Sequence, residues 1–468
     1  MSTFPPDLFA GQRFAVVGLG RAGLPAARAL VAMGAEVVVW DDNAKAREAA
    51  TGLTLQDLRG GGLEVDAIIL SPGIHHRGVK AHPIAVRAAA SGVPIWTDSE
   101  LLFQAVRAAG SKARFVGITG TNGKSTTTAL IAHVLETAGV PMAAGANLGT
   151  AALSLPLLPD DGVYVLEMSS YMLERLDTLV FNVAIMLNLS PDHLDRHGDM
   201  AGYALAKAAV FHRQRPEDLA VIGIDDEWPA RALAGSGSHA RRVTISGFQA
   251  ADVWGDGTIL RDAAGPVMDL REALTLPGAH NAQNAAAAVS VCAFLGVARD
   301  AIVAGIRTYP GLPHRQQLVA TIDGIAFIND SKATNADSTA RALGCHERII
   351  WIAGGESKEG GIESLTEYFP RIAQTLLIGQ DAPILAATLS AHGAPHETVG
   401  TLEAAVPAAL AAARAQGANV VLLSPACASW DQFTGFDQRG DRFAELARAL
   451  TGATQTRAPS GDALKGGA

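Results

Sequence analysis

Gly117-Ile118-Thr119-Gly120-Thr121-Asn122-Gly123-Lys124-Ser125-Thr126-Thr127-Thr128 is the stretch from which the rest of the chain is read. Apolar-rich residues 113–116 precede it and residues 129–135 follow with helical character, so it occupies a strand-to-helix turn. Glycines in such a turn permit positive φ and close approach of backbone to ligand. The N–H groups of the helix start then face an anion, with the helix dipole behind them. Lys124 adds a mobile positive charge for terminal phosphates, and the Ser125 hydroxyl can ligate Mg2+. Gly120, Thr121, Asn122, Gly123 and Thr126 complete the phosphate-binding loop. A strict P-loop has glycine at 118, where this chain has Ile118; Gly120 partly answers that departure.

Upstream, residues 12–104 alternate between strand and helix: strands at 12–18, 36–40, 67–70 and 93–96, and an alanine-rich helix at 21–33. Such alternation predicts a parallel sheet with right-handed crossovers. Gly18-Leu19-Gly20-Arg21-Ala22-Gly23 is a full G-x-G-x-x-G after the first strand, and Asp41 and Asp42 end the second. That is the layout of a nucleotide diphosphate site with an acidic residue for ribose. Alone it points to NAD and a dehydrogenase, or to a turn that is tight only for packing. The turn Ser71-Pro72-Gly73-Ile74 lies at another strand's carboxyl end, where ligands collect in open sheets.

Downstream, Ala144-Gly145-Ala146-Asn147-Leu148-Gly149 is followed by a strand at 162–166 that ends in Glu167. A carboxylate there, beside the P-loop strand, is placed to hold the nucleotide's metal. A further strand at 183–187 runs into Asn188-Leu189-Ser190-Pro191-Asp192-His193-Leu194-Asp195-Arg196-His197. His193 is read as a metal ligand or as a solvent-facing loop histidine. Lys207, flanked by alanines on a helix at 200–211, has the ordinary reading of a surface lysine. Asn281 and Asn284 share a helix face suited to a base or ribose, although Asn281 could instead cap that helix. Residues 309–313 form a Pro/Gly-rich linker and hinge.

From 311 to 450 the chain alternates again, with strands near 326–329, 349–353, 375–378 and 420–423. Three strand-end loops are rich in functional groups: 329–335, 354–358 and 424–433. His314-Arg315 adds a positive pair, and residues 451–468, small and polar, are expected to be disordered.

The chain has 468 residues, 49% apolar and 18% charged, which predicts several folded domains. No apolar run has the length of a membrane span and the first residues do not form a signal peptide, so a cytoplasmic location is expected. Cys292, Cys345 and Cys427 have no metal-site or disulfide spacing and fit a reducing compartment as buried apolar residues. A net charge of −9 without a Lys/Arg cluster argues against nucleic acid as a partner.

With these stretches in hand, the chain resembles the ATP-dependent Mur ligases of peptidoglycan synthesis over roughly residues 10 to 450. The resemblance rests on the Thr-Gly-Thr-Asn-Gly-Lys-Ser-Thr loop, Leu-Pro-His-Arg at 312–315, Asn-Asp-Ser-Lys-Ala-Thr-Asn at 329–335 and Ser-Pro-Ala-Cys-Ala-Ser at 424–429. Asp431-Gln432-Phe433, Phe436 and Arg439-Gly440 continue the last run, which singles out the family's D-glutamate-adding member. The Asp-Asn-Pro-Arg run of the diaminopimelate- or lysine-adding relative is missing. A folylpolyglutamate synthetase-like ligase would explain the P-loop and third domain, but needs neither the N-terminal nucleotide fold nor 424–433.

The resemblance implies an α/β protein of three domains. These are an N-terminal Rossmann-like nucleotide-binding domain (1–108), a central P-loop ATPase-like domain with a mainly parallel sheet (109–310) and a C-terminal Rossmann-like domain (311–450), before the tail at 451–468. It implies UDP bound by Gly20, Arg21, Asp41, Ser71, Pro72 and Gly73, with Asn147 and His193 on the rest of that substrate. Asn43 stands where relatives often carry a basic residue. Lys207 matches a lysine that takes up CO2 as a carbamate, so that two Mg2+ ions are held, one by Ser125 and the other by Glu167, His193 and the carbamate. Asn281, Asn284, His314, Arg315, Asp330 and Lys332 would bind ATP. Thr334, Lys358, Ser429, Trp430 and Phe436 would surround D-glutamate, Trp430 replacing an aliphatic residue. Lys124, His193, Lys207, Asp330 and Lys332 carry the catalysis in this reading. The substrates are UDP-N-acetylmuramoyl-L-alanine, D-glutamate and ATP, and the protein is expected to act as a monomer without nucleic acid or membrane.

Overall fold

In the computed structural model, which describes residues 3–60, 63–357, 360–450 and 453–454, the chain builds three sheets. The first contains β1 (Arg13–Val17), β2 (Glu36–Trp40), β3 (Thr54–Leu55), β4 (Ala67–Leu70) and β5 (Ile95–Trp96), in the order β3-β2-β1-β4-β5. All its pairs are parallel. The runs Phe-Ala-Val-Val in β1 and Ala-Ile-Ile-Leu in β4 are buried throughout, as expected of strands covered on both faces. The chain leaves β1 for β2 on one side and returns to β4 on the other, so the carboxyl ends of β1 and β4 flank a switch point.

The second sheet comprises β6 (Arg114–Thr119), β7 (Met142–Ala146), β8 (Val163–Glu167), β9 (Val183–Met186), β10 (Leu219–Gly223), β11 (Arg241–Ser246), β12 (Val253–Asp256), β13 (Ile259–Asp262) and β14 (Gly265–Asp269). Its order is β14-β13-β12-β11-β10-β9-β6-β8-β7, parallel except at the β12–β13 and β13–β14 pairs. Between β8 and β9 the chain crosses from one side of β6 to the other. The register sets Ile118 beside Glu167 and Thr119 beside Met186, so the P-loop, Glu167 and the 188–197 loop emerge side by side.

These two sheets belong to one compact unit, residues 1–274 with 279–309. The helix Asp98–Ala108 joins them with Leu101, Leu102, Ala105 and Val106 fully buried. Glu100 on the same helix accepts from the N–H groups of Asp177, Thr178 and Leu179 at 2.9–3.0 Å. Charge-assisted bonds of this kind are the stronger class, and here they fasten the helix to the loop after β8.

The second unit, residues 310–468 with 275–278, carries the third sheet. Its strands are β15 (Gln317–Ile322), β16 (Ile325–Asn329), β17 (Ile349–Gly354), β18 (Ile372–Ile378), β19 (His396–Gly400), β20 (Val420–Leu423) and β21 (Ala453–Thr454), in the order β19-β18-β17-β20-β16-β15-β21. β16, β20, β17, β18 and β19 are parallel, while β15 and β21 add antiparallel edges. β21 corrects the expectation of disorder for 453–454; the rest of 451–468 lies outside the described residues.

Candidate active site

β6 runs through Thr119, so Ile118 is a fully buried strand residue and the loop proper is short, from Gly120 to Gly123. Gly120 has φ 146° and Gly123 φ 83°, values that L side chains rarely adopt. A Cβ on Gly123 would stand 2.5 Å from Asn284 Oδ1. Asn284 also accepts from Thr127 Oγ1 at 3.0 Å and donates to Asn281 Oδ1 at 3.0 Å. Both asparagines lie inside the helix Ala279–Phe294, so Asn281 is not its cap, and Asn284 serves as a brace for the loop. Sequence reading missed two further braces. Asn188 accepts from the Asn122 N–H at 2.9 Å, and Gln283 accepts from Asn188 at 3.3 Å while donating to Asp225 at 2.8 Å. The density of polar residues after β9 was the available signal for Asn188; Gln283 had none.

Lys124 opens the helix Lys124–Thr137 and donates through Nζ to the carbonyls of Gly120 (2.9 Å) and Thr121 (2.7 Å). Lys207 is not a surface lysine. It is 1% exposed and donates to Thr119 Oγ1 at 3.1 Å and to the Gly120 carbonyl at 2.9 Å. Burial, helped by the charge of Lys124, holds its pKa well below the ordinary lysine value. A buried amine whose charged form is disfavoured therefore stands at the base of the P-loop.

Glu167 is 2% exposed; its Oε1 accepts from Asn147 Nδ2 at 2.6 Å, and its Oε2 is buried without a hydrogen-bond partner. An orphaned anionic oxygen costs free energy, and a bound cation removes that cost, so the residues present fit a metal. His193, at φ 53°, takes part in a hydrogen bond with the Tyr171 hydroxyl at 2.8 Å and is half exposed. Burial lowers its pKa. Among the described residues no three His, Cys, Asp or Glu side chains converge as a ready metal site.

In the first sheet, Asp41 accepts from the N–H groups of Leu19 (2.6 Å) and Asn43 (2.8 Å), which ties the glycine loop to the end of β2. Asn43 caps the helix Ala44–Glu48, and Arg47 supplies positive charge at this strand end, with its guanidinium 4.7 Å from the Trp40 ring. Ser71 Oγ donates to the Gly18 carbonyl at 2.7 Å, so the Ser71-Pro72-Gly73 turn and the glycine loop abut, while Gly20 and Arg21 are exposed.

In the second unit the loops after β16, β17 and β20 meet. Arg439, fully buried, holds them together. It donates to Ser331 Oγ (3.0 Å), the Ser331 carbonyl (2.9 Å), the Cys427 carbonyl (3.1 Å) and the Gly354 carbonyl (3.4 Å). The sequence marked Arg439 only as part of a motif, because its partners are remote along the chain. A Cβ on Gly440 would stand 2.2 Å from His314 Nδ1, so glycine lets His314 settle beside Asn329 at 3.1 Å. Lys332 Nζ lies 5.3 Å from the Phe436 ring centroid, Thr334 lies on the same loop, and Arg315 lies in the segment before β15, where the His314 carbonyl accepts from the Lys332 N–H at 3.0 Å. Ser429 is buried and Trp430 is 67% exposed. Lys358 lies outside the described residues.

Asp330 accepts from Ser424 Oγ at 2.7 Å and from the Gln316 N–H at 3.2 Å, and burial pushes its carboxyl up to about 7. The folded state thus keeps a proton that the unfolded chain gives up at about 4. The resulting stability is complete below that pH and is lost as pH rises toward about 7. Asp330→Asn should flatten this slope. Melting temperatures at pH 5 and pH 8 should differ more for the wild type than for the variant, and parallel shifts would refute the assignment.

A profile of the Mur ligase middle domain matches residues 118–292, and one of the Mur ligase glutamate ligase domain matches 314–427. The chain is 48% identical to UDP-N-acetylmuramoylalanine–D-glutamate ligase of Paramagnetospirillum magneticum, with 95% of this chain and 98% of the relative covered. It is 46% identical to the protein of the same name from Rhodospirillum rubrum, with 97% and 98% covered. Among solved structures, UDP-N-acetylmuramate-alanine ligase MurC of Thermotoga maritima matches with TM-score 0.59 at 18% identity, covering 92% of this chain and 98% of that one. MurF of Acinetobacter baumannii matches with TM-score 0.58 at 16% identity, covering 94% and 91%. The chain belongs to the Mur ligase family. Within it, the chain is an ATP-dependent, Mg2+-requiring amino-acid ligase of peptidoglycan synthesis. No helix among the described residues is long and apolar enough to cross a membrane.

Proposed function

We propose that the chain joins D-glutamate to the alanyl carboxylate of UDP-N-acetylmuramoyl-L-alanine, consuming ATP through an acyl phosphate, as a cytoplasmic monomer. The observation that carries this reading is the neighbourhood of Lys124, the buried Lys207 and the half-partnered Glu167 at the adjacent ends of β6 and β8. The names of the full-length relatives support D-glutamate as the amino acid. In this reading the chain is divided into three domains, 1–108 for UDP, 109–310 for ATP and 311–450 for the amino acid, one around each sheet.

A carboxylate is a poor acyl donor, so its oxygen must first become a leaving group. The γ-phosphoryl group passes to that oxygen, leaving ADP; the amine of D-glutamate then attacks the acyl carbon, loses a proton, and phosphate departs. Lys124, at the start of its helix, would meet the charge on the phosphoryl oxygens. Ser125 would hold one Mg2+ and Glu167, His193 and carbamylated Lys207 a second; when bound, Mg2+ neutralises phosphoryl charge. Asn281, His314, Arg315, Asp330 and Lys332 would serve ATP, and Thr334, Lys358, Ser429, Trp430 and Phe436 the amino acid. Trp430, whose indole is exposed, would give that pocket an aromatic wall.

The test is phosphate release with UDP-N-acetylmuramoyl-L-alanine and a panel of amino acids. D-Glutamate should give the highest kcat/KM; a preference for L-glutamate or meso-diaminopimelate would overturn the proposal.

A further inference from the structure

The turn after β4 is held by a side chain from the connection between β8 and β9. Arg175 follows the short helix Ser170–Leu173 and is 4% exposed. Its Nη1 donates to the carbonyls of Leu70 (2.6 Å) and Ser71 (3.2 Å), and its Nη2 to those of Pro72 (3.0 Å) and Ile74 (2.7 Å). In a trans peptide the C=O of one residue and the N–H of the next point in opposite directions, and the described chain has no cis bond. Each carbonyl drawn onto the guanidinium therefore turns the following amide away from it.

Ser71, after the first of these carbonyls, shows the effect: its N–H donates across to Val17 O at 2.9 Å. Pro72, after the second, has no N–H. Gly73 and His75 follow the other two, so their N–H groups face away from Arg175, and neither finds an acceptor on the protein among the described residues. A Cβ added at Gly73 meets nothing within 4 Å, nor does one at Gly20 of the abutting glycine loop. Two free amides on open backbone, beside a glycine-rich turn, form a receptor for an anion.

We propose that Arg175 is a positioning residue for the sugar-nucleotide substrate. It locks the turn so that the amides of Gly73 and His75 are presented to the diphosphate. The proposal rests on the reading of the first sheet as the UDP site. It also ties that site to Glu167, which lies on the same continuous segment just upstream of Arg175.

The experiment compares wild type, Arg175→Met and Arg175→Lys by calorimetric titration with UDP, by KM for UDP-N-acetylmuramoyl-L-alanine and for ATP, and by melting temperature. In Arg175→Met the UDP Kd should rise about tenfold, about 1.4 kcal/mol, with the sugar-nucleotide KM following. The ATP KM and the saturating kcat should stay unchanged. Lysine keeps the charge but not the planar fork and should fall between; it carries the test if the methionine variant does not fold. An unchanged UDP Kd in a folded variant, or equal losses for UDP and ATP, would overturn the positioning role. UDP failing to bind the wild type would instead overturn the diphosphate reading beneath it.

Discussion

Lys124→Ala should lower ATP-dependent phosphate release by about a thousandfold or more, with the melting temperature nearly unchanged. The ammonium group sits on the carbonyls of Gly120 and Thr121, at the start of the helix Lys124–Thr137. A charge held there needs little reorganisation when negative charge shifts between phosphoryl oxygens, which is where preorganised electrostatics contributes most. Lys207, which reaches the Gly120 carbonyl from the helix Met200–Ala208, cannot replace it, because burial disfavours its ammonium form. Arg at 124 keeps the charge but brings a planar fork into the space of a point charge, so Lys124→Arg should recover only part of the rate. The assay is phosphate release at saturating substrates. Near-normal turnover in Lys124→Ala would remove the P-loop from the reaction.

Local pattern made much of this fold legible. The switch from strand to helix at the P-loop, the glycine turn after β1 and the three polar loops of the second unit are short-range signals, and the structure has them at strand carboxyl ends. Two hairpins were also readable. Asp323-Gly324, both at positive φ, joins β15 to β16, and Gly257-Thr258 joins β12 to β13; of the strands they connect, only β16 had been read, near 326–329, and β12, β13 and β15 had not. What sequence could not supply was long-range satisfaction of buried polar groups. Arg439 and Ser331 are 108 residues apart, and Arg175 reaches carbonyls more than 100 positions upstream. A lone arginine in a sequence does not tell which carbonyls it will gather. The same limit applied to Lys207, whose alanine neighbours allowed a surface reading until packing removed it from water.

The other large effect belongs to Lys207. Lys207→Ala should lose about a hundredfold to a thousandfold in kcat, and acetate or formate should restore part of the loss. The reason lies in its surroundings. The amine is buried, desolvation disfavours its charged form, and Glu167 has one unpaired buried oxygen, so a carbamate on Lys207 would add a second carboxylate beside Glu167 for a bound cation. The step balances: the amine nitrogen bonds the carbon of CO2, one proton leaves, and a carboxylate remains. Lys207→Arg, permanently charged and unable to form the carbamate, should be as inactive as alanine and should not respond to the acids. A readout independent of turnover is 13C NMR of protein equilibrated with 13C-bicarbonate, which should show a carbamate signal in wild type that is lost in Lys207→Ala. Wild type without that signal, together with an alanine variant that no small acid restores, would leave Lys207 as a buried amine bracing Thr119 and Gly120 and nothing more.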